Sequence, residues 1–180
     1  MSLLPTSKSG LSALSVPLPT ASHDPVSSNS HFLHAGQVFV SAEGHSIVLI
    51  LGSCVAVCIW DPANGIGGAT HYLLPTWDGK GAQSPRYGDV AVSVLLQKLL
   101  DAGADRRQLR AKVFGGGCLF DSLRDSNSHR EQHLGSRNVD VALEMLMKAR
   151  IPVVSTEVGA DRGQRIVFRT CSGDSLARTL

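Results

Sequence analysis

A cysteine and a histidine on neighbouring apolar segments are the residues in this sequence best suited to covalent chemistry. Cys54 ends the run Leu51-Gly52-Ser53-Cys54, and His71 lies in the apolar segment after the next turn. A histidine that takes the thiol proton favours the thiolate at neutral pH, and cysteine hydrolases use that nucleophile to attack carbonyl carbon. Gly52 permits a sharp bend before the thiol, and backbone N–H groups near Cys54 could receive an oxyanion. We therefore interpret Cys54 as a nucleophile and His71 as its base.

The two residues can meet if they lie on one β-hairpin. Residues 61–65, Asp-Pro-Ala-Asn-Gly, are a strong turn signal between strands predicted at Val55–Trp60 and Ile66–Leu74. If the turn is centred on its middle residue, antiparallel pairing places a residue between 71 and 73 opposite Cys54, with His71 directly opposite it or one step away. Opposite side chains have Cβ atoms about 4.5–5.5 Å apart, so the thiol and the imidazole could form an ion pair.

Other interpretations of these residues stay open at this stage. A cysteine in an apolar strand is commonly a small buried hydrophobic residue, and a histidine beside a sheet is commonly only hydrogen-bonded. Cys54, Cys58, His71 and Cys118 could instead hold Zn²⁺, although Cys-x₃-Cys is not the usual knuckle spacing and no second knuckle follows. The glycines at 115–117 lack the Lys-Ser/Thr of a phosphate-binding loop, which argues against a nucleotide site.

Composition indicates one globular domain without a polyanion-binding surface. The 180 residues are 43% hydrophobic and 18% charged, with a net charge of +2 that is not gathered into any block. This balance predicts no binding to nucleic acid and no insertion into a membrane. No apolar run is long enough to cross a bilayer and no export signal is visible, so we expect a cytoplasmic protein with free thiols.

The first 30 residues differ from the rest. They contain nine Ser, four Pro and only two charged side chains, Lys8 and Asp24. A segment with so little to bury cannot offset its ordering entropy. We therefore predict a disordered leader at 1–30 and a folded domain at 31–180.

Apolar periodicity predicts the elements of that domain. One helix is expected from a cap at Asp89 to a stop at Gly103, and a second from a cap at Asn138 through Arg150. Two closing strands are expected on either side of a turn at 161–163. The fold class predicted is α+β, a layered domain with a largely antiparallel sheet or sandwich core and two main helices. The strands are predicted at Val38–Val40, Ile47–Leu51, Val55–Trp60, Ile66–Leu74, Leu109–Phe114, Val153–Val158 and Arg165–Thr170.

Spaced motifs along residues 32–170 resemble the CheD family, the chemoreceptor glutamine deamidases of bacterial and archaeal chemotaxis. The resemblance covers neither the leader nor the C-terminal tail. It is carried by Leu51-Gly52-Ser53-Cys54-Val55-Ala56-Val57-Cys58, Asp61-Pro62, Gly67-Gly68, His71-Tyr72-Leu73-Leu74-Pro75, Arg86-Tyr87-Gly88-Asp89, Lys112-Val113-Phe114-Gly115-Gly116, Gly135-Ser136-Arg137-Asn138, Val158-Gly159 and Gly163-Gln164-Arg165.

The resemblance implies hydrolysis of selected glutamine side-chain amides of receptors to glutamate, with release of ammonia. Cys54 falls on the family's nucleophile and His71 on its base, and the chemistry needs neither a metal nor an organic cofactor. The implied partners are the cytoplasmic domains of chemoreceptors as substrate and a CheC-type phosphatase.

One departure from the family pattern concerns a third polar residue. The family usually carries Thr or Ser five or six residues before the nucleophile, where this sequence has Leu49 and Val48. Ser46, Ser53 and Thr70 are the candidate replacements, with a backbone carbonyl as the alternative. Because Leu49 and Val48 carry no hydroxyl, a second function also stays open, that of a catalytically weak adaptor that binds receptors or a CheC-type phosphatase.

Overall fold

The computed structural model describes residues 29–117 and 134–180. Most of the predicted leader and Cys118 lie outside these ranges. The described residues form two helices and nine strands: β1 (Ser30–Phe32), β2 (Gln37–Ser41), β3 (Ser46–Leu51), β4 (Val55–Asp61), β5 (Ile66–Tyr72), α1 (Gly88–Asp101), β6 (Arg110–Gly115), α2 (Leu134–Lys148), β7 (Val153–Val158), β8 (Gln164–Arg169) and β9 (Ser175–Thr179).

The strands form two sheets. The four-stranded sheet has the order β1-β3-β8-β9, and the five-stranded sheet has the order β2-β5-β4-β6-β7. The pairs β1–β3 and β6–β7 are parallel, and the remaining pairs are antiparallel. The predicted α+β layered fold with a largely antiparallel core is therefore confirmed.

β4 is buried on both faces because it lies in the middle of the layers. Val55, Val57 and Ile59 pack against a cluster that includes helix residues, whereas Ala56 and Cys58 pack in the cluster between the two sheets. This arrangement follows from the period of two along a strand, which sends alternate side chains to opposite faces. The helices thus cover one face of the five-stranded sheet and the four-stranded sheet covers the other.

Both helix starts differ from the predicted caps. Tyr87 is the N-cap residue of α1, and Asp89 is in the first turn, where its carboxylate accepts a hydrogen bond from the Trp77 N–H (3.1 Å). α2 begins at Leu134, so Asn138 lies in its second turn and is not a cap. The predicted stop of α1 is confirmed, because Gly103 follows the helix with φ +97°.

The two predicted closing strands, β7 and β8, lie in different sheets. β7 runs parallel to β6 at the edge of the five-stranded sheet, and β8 lies between β3 and β9 in the other. The prediction missed β1 and β9, two edge strands whose short polar sequences give no apolar run. In the part of the chain that the structure describes, no helix is long and apolar enough to cross a membrane.

Candidate active site

The hairpin that carries Cys54 and His71 forms as predicted, and its register lies at one end of the predicted range. Ala56 of β4 is opposite His71 of β5. Carried two residues back, this register places Leu73 opposite Cys54, which immediately precedes β4. His71 is therefore a diagonal neighbour of Cys54 and not its direct partner. Diagonal Cβ atoms are about 7–8 Å apart or somewhat less, and no hydrogen bond joins the Cys54 thiol to His71 Nε2 in the described residues.

Strand alternation indicates which face of the five-stranded sheet carries the imidazole. Ala56 and Cys58 of β4 belong to the cluster between the sheets, and so does Ala69 of β5. Alternation along β5 then puts His71 on that face. The same alternation, continued one residue beyond β4, would put the half-buried Cys54 side chain on that face as well.

The hydrogen bonds of His71 define which ring nitrogen can act as a base. The side chain is buried, with 5% of its surface exposed, and Nδ1 lies 3.2 Å from the carbonyl oxygen of Leu33. Because a carbonyl oxygen only accepts, Nδ1 must carry the proton and Nε2 keeps its lone pair. Nε2 is buried and has no hydrogen-bond partner among the described residues. His71 is thus held in the tautomer whose free nitrogen can take a proton.

The segment before β2 holds the Leu33 carbonyl in place. The Leu33 N–H donates to the carbonyl oxygen of Val48 in β3 (2.9 Å), and the Gly36 N–H donates to the carbonyl oxygen of His71 (2.6 Å). Gly36 has φ +84°, a conformation that favours glycine. The segment therefore anchors both the ring and the backbone of His71.

In the described structure a backbone carbonyl, and not a side-chain hydroxyl, contacts the ring of His71. The Thr70 hydroxyl donates to the Gln37 carbonyl oxygen (3.3 Å) on the helix side of the sheet, and neither Ser46 nor Ser53 has a side-chain bond to His71 among the described contacts. The backbone carbonyl considered as the alternative is that of Leu33. It is a residue for which the sequence offered no signal, because every residue carries a carbonyl.

Three glycines support the loop that carries the nucleophile. The Gly116 N–H donates to the Cys54 carbonyl oxygen and the Gly117 N–H donates to that of Gly52, both at 2.8 Å. Gly115 has φ +94°, and a Cβ there would lie 2.2 Å from the Cys54 carbonyl oxygen. No larger residue fits at Gly115. The triplet that lacked the features of a phosphate-binding loop therefore supports the loop of Cys54.

Asn138 is a second residue whose role the sequence did not indicate. Its side chain is fully buried, and Nδ2 donates to the carbonyl oxygens of Ser53 (3.1 Å) and Leu73 (2.9 Å). The Tyr72 hydroxyl donates to the Asn138 carbonyl oxygen. α2 is thereby tied to the chain beside Cys54 and beside His71. The sequence signal available for Asn138 was its place in one of the CheD-like motifs, but the local pattern suggested only a helix cap.

The electrostatics of the site favour a neutral pair. Burial raises the pKa of the Cys54 thiol, against a smaller lowering by its own backbone N–H. Burial also lowers the pKa of His71, and its hydrogen bond to the Leu33 carbonyl offsets part of this while the nearby His34 adds to it. Both directions oppose the resting thiolate–imidazolium pair expected from the sequence. Nε2 instead keeps a free lone pair, which can take up a proton.

The other cysteines have different surroundings. Cys58 is fully buried between the sheets, where burial raises its pKa, and Cys171 is exposed. Cys54, Cys58 and Cys171 are free thiols. Within residues 29–117 and 134–180, no group of three or more His, Cys, Asp or Glu side chains could hold a metal ion. Cys118, the fourth residue of the zinc alternative, lies outside the described residues.

The chain is similar to known proteins over most of its length. Residues 73–179 match the family model described as CheD chemotactic sensory transduction. A relative in Anaeromyxobacter dehalogenans, named probable chemoreceptor glutamine deamidase CheD 1, is 44% identical over 149 residues, which cover 83% of this chain and 84% of the relative. The probable chemoreceptor glutamine deamidase CheD of Trichlorobacter lovleyi is 42% identical over 143 residues, or 79% of this chain and 86% of the relative. The crystal structure of Bacillus licheniformis hypothetical protein YfiH aligns with a TM-score of 0.43 and 17% identity, over 68% of this chain and 50% of that protein.

Proposed function

The chain belongs to the CheD family, and from this membership and the geometry around Cys54 we propose that it hydrolyses selected glutamine side-chain amides of chemoreceptors to glutamate. The observation that carries the proposal is the imidazole of His71. Its Nδ1 is bonded to a carbonyl oxygen, its Nε2 is free among the described residues, and strand alternation puts it on the face expected for the Cys54 side chain. A buried base with one committed nitrogen suits the activation of a thiol.

The proposed reaction proceeds through a thioester. The sulfur of Cys54 attacks the amide carbon while Nε2 of His71 takes the thiol proton, which gives a tetrahedral oxyanion. The C–N bond then breaks and His71 returns the proton to the nitrogen, so ammonia leaves. Water, deprotonated by His71, attacks the thioester, and the glutamate product and the free thiol result. No metal or organic cofactor takes part in these steps.

The loop around the nucleophile provides candidates for oxyanion stabilisation. The Cys54 backbone N–H is close enough to its own sulfur to lower the pKa of the thiol. The N–H groups of Gly116 and Gly117 are already used to hold the loop. We therefore assign the oxyanion to the Cys54 N–H, which is rigidly placed because the loop below it is held by the glycines.

The proposed substrates and partners follow the family. The named relatives act on chemoreceptors, and we place the reaction of this protein on receptor cytoplasmic domains, in the cytoplasm. A CheC-type phosphatase is proposed as a partner. In the part of the chain that the structure describes, no helix could span a membrane.

The proposal is tested by incubating the protein with purified receptor cytoplasmic fragments and mapping Gln-to-Glu conversion by peptide mass spectrometry. Cys54→Ala, incubated in parallel, measures spontaneous deamidation. Conversion at specific glutamines by the unmodified protein alone supports the proposal. Tight binding of the fragments without conversion would instead favour the adaptor function, the alternative raised by the lack of a hydroxyl at Leu49 and Val48.

A further inference from the structure

Asn138 joins the two chain segments that carry the proposed nucleophile and base. Nδ2 donates to the carbonyl oxygens of Ser53, which precedes Cys54, and of Leu73. The Asn138 backbone accepts a hydrogen bond from the hydroxyl of Tyr72, which follows His71. One residue of α2 therefore contacts neighbours of both reacting side chains.

This link lies beyond the end of the strand ladder. The last ladder pair of β4 and β5 is Val55 with Tyr72, so Cys54 and Leu73 are not held to each other by strand pairing. Glycine N–H groups bind the Cys54 loop from the side of β6, but they do not connect it to the strand of His71. Among the described side chains, that of Asn138 bridges Ser53 and Leu73.

The chemistry of the bridge requires an amide. Both partners are carbonyl oxygens, which only accept, so two donors on one nitrogen are needed to join them. An aspartate would place a third acceptor there, and an aliphatic side chain would leave both carbonyls unpaired. The Oδ1 atom of Asn138 is buried and has no partner among the described residues. Burying such an acceptor costs free energy, and orphaned groups of this kind call for an explanation other than packing.

We propose that Asn138 is a positioning residue that sets the distance and orientation between the Cys54 thiol and His71 Nε2. A displacement of about 1 Å between reacting groups can lower a rate about 100-fold. Asn138→Ala should therefore lower kcat for receptor deamidation by about 10- to 100-fold and change KM by less than about threefold. The expected change in kcat rests on the proposed function, whereas the rate of thiol alkylation can be measured without it.

The deciding experiment is a double-mutant cycle on Cys54 alkylation. Iodoacetamide modification of Cys54 is followed by peptide mass spectrometry, as a function of pH, in the unmodified protein, Asn138→Ala, His71→Ala and the double variant. If Asn138 acts through His71, the single variants share one altered pH profile and the double variant resembles His71→Ala. A merely structural role would make the two effects multiply.

The matched control is Leu146→Val, a mild core truncation two turns further along α2. It should lower thermal stability while leaving the pH profile of Cys54 alkylation unchanged. If Asn138→Ala does not fold, Asn138→Gln, which keeps the amide on a longer stem, takes its place in the same cycle. The inference would be overturned if the effects of Asn138→Ala and His71→Ala on Cys54 alkylation multiply in the double variant. It would also be overturned if the pH profile and kcat of Asn138→Ala lie within twofold of those of Leu146→Val. Coupled alkylation without receptor deamidation would reject the proposed function and leave this inference supported.

Discussion

Two threonine substitutions in β3 test whether a hydroxyl is missing from the site. Leu49 lies in the cluster between the sheets, and Val48 points to the opposite face by strand alternation. The His71 Nδ1 already donates to the Leu33 carbonyl oxygen at 3.2 Å. A hydroxyl at position 49 would therefore compete for an occupied nitrogen, and one at position 48 would point away from the ring. We expect neither Leu49→Thr nor Val48→Thr to raise the rate of deamidation.

The two variants should differ in stability. Leu49 is fully buried, and Thr removes apolar volume worth about 1.5 kcal/mol, at about 0.8 kcal/mol per CH₂ group, and buries a hydroxyl at about 1–3 kcal/mol. The total of about 2.5–4.5 kcal/mol corresponds to a fall in Tm of about 10 °C for a domain of this size. Val48 is nearly buried on the outer face and Val→Thr keeps the side-chain shape, so Val48→Thr should cost only the burial of a hydroxyl, about 1–3 kcal/mol.

The assay is single-turnover conversion of a receptor fragment, measured well below the Tm of both variants, with calorimetry on the same samples. Ile50→Thr is the control, because Ile50 is 48% exposed on the same strand and the introduced threonine hydroxyl is solvated. A tenfold gain in rate from Val48→Thr or Leu49→Thr would refute the assignment of the Leu33 carbonyl as the partner of His71. An unchanged Tm for Leu49→Thr would show that the added hydroxyl found a partner in the core.

Four further predictions follow from the site and the domain division. Cys54→Ala should abolish Gln-to-Glu conversion and change Tm by only a few degrees, since the side chain is half-buried; residual conversion would contradict the nucleophile assignment. Because burial lowers the pKa of His71 from 6.5, the acidic limb of kcat/KM should lie below pH 6.5. The unfolding free energy should also fall as pH drops through this window, since the unfolded chain takes up a proton that the folded protein resists, and His71→Gln should remove this slope. Cys58 should resist iodoacetamide until the protein unfolds whereas exposed Cys171 reacts in the folded state, as peptide mapping would show. Deleting residues 1–28 should leave Tm and activity nearly unchanged, and a fall of many degrees would mean that the leader docks on the domain.

Local sequence determined the hairpin and which of its residues are candidates for chemistry. A turn signal at 61–65 between two apolar runs is sufficient to predict that β4 and β5 pair, because strand period and turn geometry are properties of neighbouring residues. The same reasoning brought Cys54 and His71 to one face, and helix periodicity with Gly103 predicted α1. The predicted register covered three alternatives, and the observed one lies at the end of that range, since the exact pairing depends on the geometry of the turn.

Tertiary structure alone decided what surrounds the reacting atoms. The carbonyl that orients His71 comes from Leu33, 38 residues away, and the amide beside Cys54 comes from Asn138, 85 residues from its partner Ser53. A backbone carbonyl has no signature in a sequence, because every residue has one, and a buried amide can serve equally as a cap or as a bridge. Burial also acts against the ion pair that the sequence suggested, because it raises the pKa of the Cys54 thiol and lowers the pKa of His71.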